Sequence, residues 1–144
     1  MPTFQTIYDT LLDAFGPQHW WPADSPFEVA VGAVLTQNTA WTNVERAIAN
    51  LRARQLLTPA ALAALDPAEL AEPIRPAGYF NIKARRLQAL CRFVLDDLGG
   101  DITTLAHREL AEARQALLAV NGVGEETADS ILLYACGHPV FVVD

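Results

Sequence analysis

The chain has 144 residues, 51% of them hydrophobic, and a formal net charge of −7 at pH 7. This length and apolar content predict a single folded domain with its own core. The sequence has no run of about 18 apolar residues and no basic segment before an apolar stretch. We therefore expect neither a membrane span nor a signal peptide, and we expect a cytoplasmic location. The acidic balance argues against non-specific coating of nucleic acid, which needs many Lys and Arg residues, but is compatible with a small local DNA site.

Apolar residues recur at spacings of three and four almost throughout the chain, which predicts an all-α fold. A first helix is expected from Phe4 to Phe15. A second should begin at Pro26, after the N-capping pair Asp24 and Ser25, and run to about Asn38. Because this second helix has almost no polar face, we expect it at the centre of the domain. A third helix is predicted from Thr42 to Arg54.

The middle of the chain predicts two short helices and one long one. Proline at the first helical position marks short helices beginning at Pro59 and Pro67. After a turn from Ile74 to Tyr79, a long amphipathic helix is predicted from Asn81 to Leu98. It carries a basic run that fits either a solvated face or a strip facing phosphates. The run contains Lys83, Arg85, Arg86 and Arg92.

A further helix, predicted from Leu105 to Val120, leads into a turn with two glycines and a final helix from Glu125 to about Gly137. Glycines at 122 and 124 permit positive φ and expose backbone amides, and the next helix adds its partial positive charge. Such a turn can hold an anion without side chains, although a Gly-x-Gly turn alone is weak evidence because ordinary hairpins share it. The candidate clamp comprises Asn121, Gly122, Val123, Gly124, Glu126 and Thr127.

Three segments together resemble motifs of the endonuclease III superfamily of helix-hairpin-helix (HhH-GPD) DNA glycosylases. The first is Leu35-Thr36-Gln37-Asn38, similar to the family's Leu-x-x-Gln segment. The second is the turn from Gly78 to Ala84, and the third is the glycine hairpin followed by the stretch from Cys136 to Asp144. The resemblance covers residues of about 20 to 144. It implies the family's helical fold and a base-excision glycosylase that binds double-stranded DNA containing a damaged base.

The resemblance also implies roles for individual residues. Asp144 takes the place of the family's catalytic aspartate, whose charge can stabilise an oxocarbenium-like sugar and orient or deprotonate water. Bifunctional members carry a lysine where this chain has Glu126, so the resemblance implies a monofunctional enzyme. The expected DNA contacts are Gln37, Asn38, Lys83 and the clamp residues Asn121, Gly122, Val123, Gly124, Glu126 and Thr127.

The base pocket is predicted around the tryptophans, because a flipped base is usually held between aromatic rings. The candidates are Trp20, Trp21, Pro22 and Trp41, although each tryptophan could equally be a core or surface-anchoring residue. Indole faces attract positive charge, which favours an N-alkylated purine such as 3-methyladenine and likeness to the 3-methyladenine glycosylase branch. Two alternatives stay open: a glycosylase for mismatched or oxidised bases, and a non-catalytic DNA-binding module.

No metal or cofactor is expected. Cys91 and Cys136 lie in apolar helical patterns and are interpreted as free thiols, and two cysteines cannot build the four-cysteine iron–sulfur cluster of many relatives. The histidines lack metal-ligand spacing. We expect a monomer in which residues 1–19 form a helix that packs on helices found after the aspartate in relatives. Residues 20–144 would form a glycosylase domain that is incomplete at its C-terminus.

Overall fold

The structure is a computed structural model that describes all 144 residues, and it is entirely helical, which confirms the predicted fold class. Short 3-10 turns lie at Arg75–Ala77 and Ile102–His107, and a π-helical turn at Ile131–Ala135 continues the last helix. None of the helices has both the length and the apolar character needed to cross a membrane. The α-helices are α1 (Phe4–Phe15), α2 (Pro26–Leu35), α3 (Trp41–Ala53), α4 (Pro59–Ala64), α5 (Pro67–Ala71), α6 (Phe80–Asp97), α7 (Leu110–Leu118) and α8 (Glu125–Ser130).

Helix α2 is the centre of the domain, as its apolar composition predicts. All its residues from Glu28 to Leu35 are buried, and it packs against α3, α6, α8 and the π-helical turn. The Ser25 side chain accepts a hydrogen bond from the Glu28 amide and caps its first turn. The helix ends three residues before the predicted Asn38, which adopts a left-handed φ of 55°. Residues 36–38 therefore form a tight turn rather than a last helical turn.

Helix α7 begins later than its apolar spacing predicts. Residues 102–107 form a 3-10 turn instead of the start of the helix, and Leu110 is the first α-helical residue. The cause is a cap that the apolar pattern does not reveal. The Glu109 carboxylate accepts hydrogen bonds from the amides of Ala111 and Glu112, which fixes the helix start there.

Helix α1 lies apart from the core. None of its twelve residues is buried, and its apolar side chains are open to solvent, with Phe4 89% and Phe15 71% exposed. The side chains of Tyr8, Leu11, Leu12 and Phe15 line an open apolar groove. The hydrophobic core is instead a cluster of 29 residues between Ala30 and Leu132.

The two cysteines are free thiols, as predicted. Cys91 is buried in α6, and Cys136 is half-buried with its Sγ 3.6 Å from the Ile102 carbonyl oxygen. Burial raises the pKa of Cys91 to about 12 and that of Cys136 to about 11, because a thiolate is poorly solvated there. Both side chains therefore stay neutral at ordinary pH and act as small apolar groups.

Candidate functional site

The hairpin between α7 and α8 has a turn that only glycine fits at position 122. Gly122 has a φ of 89°, and a Cβ placed on it would lie 2.2 Å from the Arg86 Cγ. Both the left-handed backbone and the close approach of Arg86 exclude a side chain. Val123 is buried beneath the turn and Ala128 is fully buried between the helices, as their residue types predict.

An ion pair fastens the two helices of the hairpin. The Arg114 Nε of α7 donates to the Asp129 Oδ1 of α8 at 2.8 Å, and Asp129 is only 8% exposed. A second contact joins Arg114 Nη2 and Asp129 Oδ2 at 3.3 Å. This bidentate pair sets the angle at which the turn is presented. Sequence reasoning missed it, because nothing local marks the two residues as partners.

Gln37 links the turn after α2 to the hairpin. Its Nε2 donates to the Gly122 carbonyl oxygen at 3.1 Å and to the Thr127 Oγ1 at 3.0 Å. Its Oε1 accepts from the Arg86 Nη1 at 2.8 Å. The predicted DNA contacts from two separate motifs thus meet at one place, around a polar cavity of about 510 Å³. The cavity is lined by Gln37, Asn38, Arg86, Gly122, Val123, Gly124, Glu125, Glu126 and Thr127.

Asn121 is exposed at the start of the hairpin turn but does not line this cavity. Its neighbour Gly122 does, so the cavity begins one residue further along the turn. Of the six predicted clamp residues, the five from 122 to 127 named above surround the cavity.

Asp144 lies in a second, adjoining polar cavity of about 370 Å³, shared with Gln37, Asn38, Glu126 and Thr127. Its carboxyl group lies in the same cavity lining as that of Glu126. Partial burial, then the negative charge of Asp144 and hydrogen bonding between the two carboxyl groups, raise the pKa of Glu126 above its ordinary value. Glu126 therefore retains a proton to higher pH than a solvated glutamate does. Two neighbouring carboxyl groups can give a proton to, or take one from, a bound molecule.

The prediction that Lys83 contacts DNA is wrong, because its side chain is buried. The side chain is 1% exposed, and its Nζ donates to the carbonyl oxygens of Leu35 and Ala77 at 2.8 Å each. Loss of hydration, together with the nearby Arg86 charge, lowers the pKa of Lys83. The ammonium group caps the end of α2 and joins it to the turn before α6.

The three tryptophans come together, as predicted, but as one packed cluster. The centroids of Trp21 and Trp41 are 5.1 Å apart, edge to face, and Trp20 lies 6.3 and 6.2 Å from them. These are distances of rings in mutual contact, so the indoles do not face each other across an open slot. The prediction that a flipped base lies between these rings does not fit this arrangement.

The cluster rests on Gly32 of α2, where a Cβ would lie 3.3 Å from the Trp21 Nε1. That indole nitrogen is buried without a hydrogen-bond partner, whereas the Trp41 Nε1 donates to Glu45 at 3.0 Å. Pro22 and Trp41 line a cavity of about 500 Å³ that does not include Asp144. Two of the four predicted base-pocket residues, Pro22 and Trp41, therefore line a different cavity from the predicted catalytic Asp144.

Arg86 is the site residue that sequence reasoning did not single out. The sequence shows it only as one of four basic residues in a run, without indicating which face the hairpin covers. Its position three residues after Lys83, and so on the same side of α6, is the one signal that could have identified it.

No group of three or more His, Cys, Asp or Glu side chains is placed to hold a metal ion.

Comparison with known proteins gives one matching family, described as HhH-GPD superfamily base excision DNA repair protein, over residues 31–144. The chain is 49% identical over 139 residues to a Methanocaldococcus jannaschii protein provisionally named a DNA repair glycosylase, covering 96% of this chain and 63% of that protein. It is 33% identical over 120 residues to endonuclease III of Escherichia coli K12, covering 83% of this chain and 53% of that protein. The chain thus spans between half and two thirds of the length of these relatives.

Two solved structures have a similar fold. The Helicobacter pylori 3-methyladenine DNA glycosylase bound to 1,N6-ethenoadenine matches with a TM-score of 0.81 at 34% identity, covering 97% of this chain and 66% of that one. A trapped endonuclease III–DNA covalent intermediate matches with a TM-score of 0.79 at 29% identity, covering 100% of this chain and 65% of that one.

Proposed function

The chain belongs to the HhH-GPD superfamily of base excision DNA repair proteins, and from this premise we propose that it is a DNA glycosylase. It would bind double-stranded DNA and hydrolyse the bond between a damaged base and its sugar. One observation carries the proposal: the hairpin turn, Gln37 and the Glu126–Asp144 pair surround two adjoining polar cavities. A duplex held at the hairpin would have a flipped nucleotide within reach of Asp144.

The hairpin supplies the binding part of this proposal. The positive φ of Gly122 and the small Gly124 leave the amides of these two glycines open to a phosphate oxygen, whereas the Val123 amide donates to the Val120 carbonyl oxygen. The Arg114–Asp129 ion pair and the Gln37 hydrogen bonds hold the turn in place before DNA arrives. A preorganised turn loses little conformational freedom on binding, which favours affinity.

Asp144 supplies the chemical part. When the bond from C1′ to the base nitrogen breaks, the bonding electrons leave with the base and positive charge develops on the sugar. A carboxylate beside the sugar stabilises that charge. A water oxygen then forms the new bond to C1′, and its proton passes to the carboxyl pair.

We propose that the enzyme is monofunctional. Strand cleavage by a Schiff base needs a free amine beside the sugar, and position 126 offers a carboxyl group. The single lysine of the chain, Lys83, is buried and bonded to two carbonyl oxygens. Base release should therefore leave an intact strand with an abasic site.

For the substrate we propose an N-alkylated purine such as 3-methyladenine. The tryptophan cluster, of which Trp20 is 57% exposed, offers aromatic faces that attract a cationic base. The structural match to the H. pylori 3-methyladenine glycosylase supports the same class. A mismatched or oxidised base is the second candidate. Glu126, whose pKa is raised, favours it because a neutral leaving base needs protonation and a cationic one does not.

The test is single-turnover base release from duplexes that carry methylated purines, uracil or 8-oxoguanine, with the Asp144→Asn variant in parallel. We expect release of one class of base, and a loss of about 100-fold or more in the variant, in line with removal of a general acid–base group. Gel analysis before and after alkali treatment measures strand cleavage, which we expect only after alkali. Retained duplex binding without release of any base would instead establish a non-catalytic DNA-binding module.

A further inference from the structure

We propose that Arg86 is a phosphate-binding side chain of the hairpin, supplying the positive charge that the hairpin itself lacks. This inference rests on the proposed function, in which the hairpin holds the DNA backbone. It assigns the basic run of α6 a definite role: one member faces the DNA phosphate, whereas Lys83 is buried.

The hairpin cavity carries more acidic than basic side chains. Among the residues around the hairpin cavity, Arg86 is the one basic side chain, and Glu125 and Glu126 are acidic. Both glutamates are exposed and lie at the start of α8, where they oppose the approach of a phosphate. A hairpin of this sequence binds an anion less readily than its backbone geometry allows. A guanidinium group at the same cavity offsets that repulsion.

Arg86 lies next to the hairpin turn. Its aliphatic stem lies directly under the turn, since a Cβ on Gly122 would be 2.2 Å from its Cγ and 2.5 Å from its Cδ. The stem therefore passes beneath the turn, and the guanidinium group reaches the Gln37 Oε1. It lines the hairpin cavity and also a neighbouring cavity of about 240 Å³ that includes Tyr79 and Ile82. Both Tyr79 and Ile82 are exposed, so Arg86 lies along an open surface.

The Arg86 guanidinium group has N–H donors left for a ligand. A guanidinium group has five N–H donors, and the Arg86 Nη1 donates to the Gln37 Oε1. Gln37 is in turn held by Gly122 and Thr127, so this contact fixes the orientation of the Arg86 plane. The other donors remain for two phosphate oxygens, which a planar fork can bind in pairs.

Salt dependence separates this role from a purely structural one. Each phosphate contact releases counterions, so losing one reduces the slope of log affinity against log salt by about 1. We would measure binding of a fluorescein-labelled undamaged duplex from low to moderate salt. The proteins are the wild type, Arg86→Gln, Arg86→Lys and the control Arg92→Gln. Arg92 is exposed on the same helix but six residues further on, and so points about 120° around the helix from Arg86.

We expect Arg86→Gln to weaken binding about fivefold at low salt and to reduce the slope by about 1. Arg86→Lys should keep the wild-type slope because it keeps the charge, and Arg92→Gln should match the wild type. Thermal melts of each protein show whether the fold is retained. A wild-type slope in a folded Arg86→Gln protein, or an equal loss in Arg92→Gln, would overturn the inference. Wild-type protein that binds no duplex overturns both proposals, whereas binding without base release overturns the glycosylase proposal alone.

Discussion

The C-terminal end of α2 is held by hydrogen bonds, whereas the flank of α2 that faces the tryptophans is held by packing. At the end of the helix, Lys83 binds the Leu35 carbonyl oxygen, and Gln37 binds residues 49 to 90 positions away in the chain. On the flank, three indole rings and Tyr134 lie against each other and against Gly32. A hydrogen-bonded joint depends on single atoms, whereas a packed cluster depends on shared surface area.

A buried ionic group lies beside the packed flank. Glu28 is 4% exposed and accepts hydrogen bonds from Arg52 and from the backbone amide of Asp24. Arg52 also contacts the Asp24 carboxylate at 3.0 Å. This group ties the loop before α2 to α3, and Trp41 lines the same cavity. The polar end of α2 therefore sets the geometry of the site, and the packed flank sets the stability of the loop that carries Trp20 and Trp21.

The largest effect on stability is expected at the polar end, from Lys83→Met. The methionine fills a similar volume but leaves the carbonyl oxygens of Leu35 and Ala77 without this donor. We expect a loss of about 3 kcal/mol in the free energy of unfolding, from two buried acceptors at about 1–3 kcal/mol each less the gain from removing a buried charge. Urea unfolding measures it. The control Arg92→Met, an exposed site on the same helix, should change stability by less than about 0.5 kcal/mol. Equal stability of the two variants would show that the end of α2 does not depend on this ammonium group.

A smaller loss is expected on the packed flank, from Trp41→Ala. Trp41 is half-buried, so its removal should cost about 2 kcal/mol, less than the 3–5 kcal/mol of a fully buried tryptophan. Binding of an undamaged duplex should stay unchanged, because no tryptophan lines the hairpin cavity. Urea unfolding and fluorescence anisotropy measure the two quantities. A weakened affinity for undamaged DNA with the fold intact would contradict the separation of the two regions.

The smallest effect is expected from Glu126→Gln, and it should depend on pH. The pKa of Glu126 is raised in the folded state, so its protonated form is favoured there, and this stability is lost as pH rises through the folded-state pKa. Once Glu126 is deprotonated, its charge and that of Asp144 repel each other, and the glutamine variant lacks this repulsion. The variant should therefore have the higher Tm at pH 7, and the difference should shrink as the pH falls towards 4. A difference that does not vary with pH would mean that the two carboxyl groups are not coupled.

Local signals in the sequence were enough for most of the fold. Ser25-Pro26 and Thr58-Pro59 mark helix starts that the structure places at the same residues, because capping and proline geometry act within one turn. The central position of α2 follows from its lack of a polar face. Family resemblance supplied the hairpin, Gln37 and Asp144, and these do meet around adjoining cavities.

The features that could not be predicted all depend on contacts between distant residues. A lysine is normally exposed, and nothing near Lys83 in the sequence shows that its ammonium group is buried and bonded to two carbonyl oxygens. The stem of Arg86 under Gly122 joins positions 36 residues apart. The mutual packing of the tryptophans depends on the path of the loop before α2 and on the bare surface at Gly32.

The state of the two thiols has a practical consequence for site-directed labelling. Maleimides and other thiol reagents attack the thiolate, and at pH 7 roughly one Cys136 side chain in ten thousand is ionised, and fewer of Cys91. A cysteine introduced at a solvated position would be ionised to a few per cent and react far faster. A fluorophore could thus be attached near the hairpin for binding measurements without first replacing either native cysteine.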